Sequence, residues 1–90
     1  MTVNNTRAKG ETMARKITMV VGFHIAAEFE AKICETLTRM LGIKSAKFDA
    51  LRDEHCTTFM SDRRVRCSIA RRAKLEAFID GVRLTCIHNN

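Results

Sequence analysis

Asp49, Asp53, Glu54 and His55 stand close together in this chain, and side chains of these types are the ones that exchange protons in catalysis. His24, His55 and His88, with Cys34, Cys56, Cys67 and Cys86, add the residue types that ligate zinc. Neither set has the spacing that its chemistry needs. Structural zinc sites bring their ligands in closely spaced pairs, and there is no C-x-x-C here. The acidic cluster reads as the polar face of a short element. The chain also lacks a glycine-rich phosphate loop, a nucleophile elbow, and a paired Cys and His with an orienting partner. No cofactor or metal is expected, and the thiols read as reduced and apolar. Enzymatic activity is left open, with a non-enzymatic role favoured.

The other chemistry available is that of positive charge. Net charge is +6, and its distribution is uneven. Residues 1 to 16 hold four cations against one acid, residues 17 to 62 five against seven, and residues 63 to 90 seven against two. The last group is Arg63, Arg64, Arg66, Arg71, Arg72, Lys74 and Arg83, opposed by Glu76 and Asp80. Arginine and lysine neutralise phosphates and release counterions, and an exposed ring such as Phe78 can stack on a base. These residues are therefore the expected surface for an acidic partner. That partner would be a host protein–nucleic-acid complex or nucleic acid itself, and a membrane is not expected.

The elements that must position these residues follow from periodicity. Ile17 to Val21 is rich in β-branched residues and precedes Gly22, so Lys16 to Phe23 reads as a strand, placed centrally. Ile25, Phe29, Ile33, Leu37 and Leu41 recur at helical spacing, with Glu28, Lys32, Glu35 and Arg39 on the opposite stripe and Gly42 as the stop. Residues 43 to 55 read as a short helix capped by Ser45 and carrying Phe48 and Leu51. Ala46, Phe48 and Ala50 also alternate as in a strand.

Asp80-Gly81 is a preferred two-residue hairpin turn. Around it, Ile79 faces Val82, Ala77 faces Leu84 and Leu75 faces Cys86, and Val65, Cys67 and Ile69 alternate upstream as a third strand. The expected fold is α+β: a strand, a long amphipathic helix, then an antiparallel β-meander with the helix packed on one sheet face. The alternative makes Arg71 to Asp80 a second helix in a ferredoxin-like βαββαβ arrangement. In the meander, Arg64, Arg66, Lys74, Phe78 and Arg83 would lie on the sheet face opposite the core, with Arg71 and Arg72 at a turn.

At 90 residues the chain is one domain, with 46% apolar residues to form a core and no Tyr or Trp to contribute to it. Residues 1 to 12 read as a flexible polar tail ahead of a single domain over 13 to 90. Lys9-Gly10-Glu11 must be encoded by purine-rich codons like a bacterial ribosome-binding site, placed just upstream of Met13. Translation starting at Met13 in a bacterial or phage gene is one reading of that, and an ordinary basic tail is the other. With no signal-peptide core or membrane span, a cytoplasmic location is expected.

The order of strand, helix and terminal meander, with basic charge late in the chain, resembles that of the RelE/ParE toxins, a likeness of topology carried by no residue motif. Strand Lys16 to Val21, the helix after it and the turn Leu41-Gly42-Ile43-Lys44-Ser45 resemble a ribbon-helix-helix repressor in the same limited way. The leading functional expectation is a small accessory protein, bacterial or phage-borne, that binds and inhibits or modulates a protein–nucleic-acid machine. Anti-defence proteins such as anti-CRISPRs, and host-takeover factors, act in this way. A direct RNA- or DNA-binding module and a RelE/ParE-like RNase toxin are the alternatives.

Overall fold

Hydrophobic alternation and helical periodicity divide the chain into five elements in a computed structural model that describes residues 13–42 and 46–89. They are β1 (Thr18–Val20), α1 (Ala27–Leu41), β2 (Phe48–Arg52), β3 (Thr57–Ser61) and α2 (Ile69–Asn89). The fold is α+β, with the long amphipathic helix against one face of an antiparallel sheet. The sheet order is β1-β3-β2, and both pairings are antiparallel. This is a split βαβ unit with β3 inserted between its two strands, followed by a second helix. It contains five of the six elements of the βαββαβ alternative, and no strand follows α2 among the described residues.

Three expectations are corrected. The first strand is an edge of the sheet, and the centre belongs to β3. Residues 48 to 52 extend as a strand because their alternate side chains meet β3: Phe48 stands opposite Ser61 and Ala50 opposite Phe59. The expected cap at Ser45 lies outside the described residues, as does the tail over 1 to 12. Finally, the Asp80-Gly81 hairpin does not form, and both residues lie inside α2.

The last correction has a local cause. Leu75, Ile79, Val82 and Cys86 satisfy the facing pattern of a hairpin, but they also recur at steps of four, three and four, which is one stripe of a helix. Ser68 accepts the Arg71 backbone N–H at 3.1 Å and so caps the first turn. Arg72 with Glu76 and Asp80 with Arg83, each at 3.0 Å, add helix-spaced ion pairs. Leu75 and Ile79 are buried against α1 and β1, whereas a hairpin over these residues would have left that side of the sheet uncovered.

The core is one cluster. Ile17, Met19 and Val21 from the β1 region, Phe48 and Phe59 from the other strands, Ile33, Leu37 and Leu41 from α1, and Leu75 and Ile79 from α2 are all buried. Both helices cover the same sheet face, α1 over β2 and α2 beside α1 and β1. The opposite face presents Thr18, Val20, Asp49, Leu51, Thr58 and Met60, of which Val20 and Leu51 are half exposed. Gly42 ends α1 in the left-handed region at φ 69°, with its N–H on the Thr38 and Arg39 carbonyls.

Candidate polyanion-binding end

The expected basic sheet face is absent. Among the described residues the open face of the sheet carries no cation, and six of the seven cations of the C-terminal third fall into two groups that do different things, with Lys74 apart from both. Arg71, Arg72 and Arg83 turn inward. Arg71 donates to the Leu41 carbonyl at the last turn of α1, an acceptor that the helix leaves unpaired. Arg72 reaches the Thr18 carbonyl at 3.5 Å. Arg83 donates to the carbonyls of Val20 and Val21, the latter at 3.2 Å, while pairing with Asp80.

These contacts close an edge. Ser61 N–H donates to Ile17 O and Val21 N–H to Thr57 O, so the odd-numbered residues of β1 bond to β3. Thr18 and Val20 therefore point their backbone groups away from the sheet, where a further strand would pair. Guanidinium groups of α2 occupy those carbonyls, an arrangement that blunts an edge otherwise open to another chain. Arginine suits this role because its planar fork reaches two acceptors at once.

Phe78 is not on a sheet face either. It is half-buried and lines an open groove of about 490 Å³ between the first half of α1 and the second half of α2, with Ile25, Phe29, Ile33 and Val82. Arg83 leaves the same helix toward β1, so the two do not stack. Lys74 is exposed on α2.

Arg63, Arg64 and Arg66 form the second group, and the fold brings others to them. An isolated antiparallel bridge joins Arg15 to Val65, with N–H to carbonyl distances of 3.1 and 3.0 Å. It places Arg15 and Lys16 beside the three arginines. On the other side, the Asp62 N–H donates to the Lys47 carbonyl at 2.7 Å and the Asp62 carboxylate accepts the Lys47 N–H at 2.9 Å. One end of the sheet thus carries Arg15, Lys16, Lys47, Arg63, Arg64 and Arg66, all exposed. Among the described residues Asp62 is the one carboxylate beside them, so six described cations and one described anion leave +5 at this end. Among the described residues, none of the six takes part in an ion pair.

The backbone beneath this charge is tied down. Ser61, 1% exposed, accepts the Ile17 N–H at 2.9 Å through its hydroxyl and donates that hydroxyl to the Arg63 carbonyl at 2.8 Å. The bridge at Val65, the pair at Lys47 and the cap at Ser68 hold the rest. The N-terminus of α2 lies at this end with no acid in its first turn, so the helix dipole adds to the positive potential. Nearby, burial pushes the Cys67 thiol up, opposed by Arg71 and Arg72, so it stays protonated at neutral pH.

Sequence reasoning missed Arg15, Lys16 and Lys47. The +3 balance of residues 1 to 16 was visible, but only the pairing with residues 62 to 65 shows that it joins the later charge.

No protein-family model, curated protein or solved structure matches this chain.

Among the described residues, the acidic and histidine candidates are placed as follows. Asp49 lies on the open sheet face, Asp53 organises the β2–β3 turn by accepting the backbone N–H groups of His55 and Cys56 at 2.8 Å each, and Glu54 faces His55 at 3.3 Å. Those two N–H groups hold the Asp53 carboxyl below the usual carboxylate range. His24 Nε2 meets the Asp53 backbone carbonyl at 2.6 Å rather than a carboxylate. The four cysteines are free and partly buried, and burial, followed by the charges of Asp49 and Glu30, pushes Cys34 up to about 11. Among the described residues no three potential ligands gather around one point.

Proposed function

We propose that the chain is a small non-enzymatic accessory protein, bacterial or phage-borne, that docks on a protein–nucleic-acid machine and inhibits or modulates it. The contact runs through the basic end rather than through a sheet face. One observation carries this reading: six exposed cations without described counter-ions, held on a hydrogen-bonded frame around a single carboxylate. Like charges cost free energy when gathered, and a folded chain has no structural need to collect them at one end. An acidic partner supplies the missing counter-charge, raises the association rate and fixes orientation.

The test is affinity capture from bacterial lysate by the wild type and by an Arg63→Glu, Arg64→Glu, Arg66→Glu triple variant. The expected outcome is a specific set of host components retained by the wild type and lost from the folded variant. Retention unchanged by the triple reversal would remove the basic end from the account.

A further inference from the structure

Resting on the reading of the basic end as a docking surface, we infer that the group it grips is the phosphate backbone of a nucleic-acid duplex, contacted without regard to sequence. Three features of this end lead there. First, the cations stand abreast. Lys47 precedes β2, Arg63 to Arg66 follow β3, and Arg15 and Lys16 precede β1, in the sheet order β1-β3-β2. Two strand spacings separate the outer members, about 10 Å at the backbone. That distance is comparable to the separation of the two backbones across a duplex groove, about 6 Å for the minor and 12 Å for the major. Cations from opposite edges of the sheet can therefore meet phosphates on both strands.

Second, four of the six are arginines, whose forked guanidinium donates two hydrogen bonds to one phosphate at once. Third, the end has no ring. Phe48 and Phe59 are buried, Phe29 and Phe78 line the groove between the helices, Phe23 is packed against the core, and the chain has no Tyr or Trp. Single-strand binders stack bases on aromatic side chains, and this end has none to offer. Protein partners of high affinity are usually held by buried aromatic anchors in a desolvated patch. Among the described residues, the exposed large apolar side chains nearest in sequence to these cations are Met13 and Ile69. What remains is polar, basic and rigid, the character of a backbone contact.

The full chain is titrated by fluorescence anisotropy with two duplexes of unrelated sequence, with one of the single strands, and with polyglutamate. Both duplexes should bind alike, and more tightly than the single strand or polyglutamate. Six cations bound the slope of log K against log salt at about −5, so affinity should fall by up to about 1,000-fold between 50 and 200 mM salt. An Arg64→Glu, Arg66→Glu variant, shown to be folded by circular dichroism, should flatten that slope by about 2. A single reversal at the other end of the molecule, Lys32→Glu, should leave it unchanged. Tighter single-strand binding, or more than about tenfold preference between the duplexes, would overturn the inference. Absence of duplex binding, with lysate capture after nuclease still lost in the triple variant, would also overturn it while leaving the docking reading intact. If neither assay responds to charge reversal, both fall.

Discussion

Replacing Gly81 with alanine separates the helix found here from the hairpin that Asp80-Gly81 announces. In the structure Gly81 sits inside α2, and a Cβ built on it meets nothing within 4 Å. Alanine there adds no clash, removes unfolded-chain entropy and recovers the propensity that glycine lacks in a helix interior, about 1 kcal/mol. Allowing for an exposed position late in the helix, Gly81→Ala should stabilise the protein by about 0.5–1 kcal/mol, which raises Tm by roughly 2–8 °C for a domain of this size. Far-UV circular dichroism during thermal and urea unfolding measures both. A two-residue turn would instead hold Gly81 at positive φ, where a Cβ is strained and the same change lowers stability. A fall in Tm would therefore refute the helix and, with it, the inward placement of Arg72 and Arg83.

The other expected effects concern the frame. Arg83→Ala leaves the carbonyls of Val20 and Val21 without their guanidinium donor and should cost about 1–1.5 kcal/mol in urea unfolding, whereas Arg64→Ala should stay within about 0.5 kcal/mol. Thr57 is fully buried with its hydroxyl unpartnered, so Thr57→Val should be neutral or stabilising by about 1 kcal/mol. The Asp53 carboxyl titrates below its unfolded value of 3.8, so its contribution is present above that pH and is lost as pH falls through the lower folded value. Tm should accordingly drop more steeply below pH 3.8 in the wild type than in Asp53→Asn. Cys34, pushed up to about 11, should resist alkylation in the native protein at pH values where a free thiol reacts, with mass spectrometry giving the site.

Where one period dominates, the fold could be read from the residues. The stripe Ile33, Leu37, Leu41 and the stop at Gly42 are as expected, since no other element accommodates that spacing. Phe29 belongs to the same stripe but is half exposed, because it lines the open groove between α1 and α2. The C-terminal third is ambiguous for a physical reason: Leu75, Ile79, Val82 and Cys86 fit two periods, and Asp80-Gly81 is a conspicuous turn signal, while the cap at Ser68 appears only in the structure. Charge suffered most from that ambiguity. Arginines identical in composition divide into edge donors and exposed cations, and only tertiary structure distinguishes Arg83, bonded to Val20 and Val21, from Arg64, bonded to nothing described. The assembly of Arg15 and Lys47 with Arg63 to Arg66 depends on long-range pairing that no local pattern encodes.

Backbone amide NMR during titration with a short duplex tests, residue by residue, whether partner contact belongs to one end of the molecule. Shifts should concentrate at residues 13 to 16, at Lys47, across 62 to 68 and in the first turn of α2. Shifts centred on the groove at Phe29, Phe78 and Val82, or on the open sheet face at Val20 and Leu51, would contradict it.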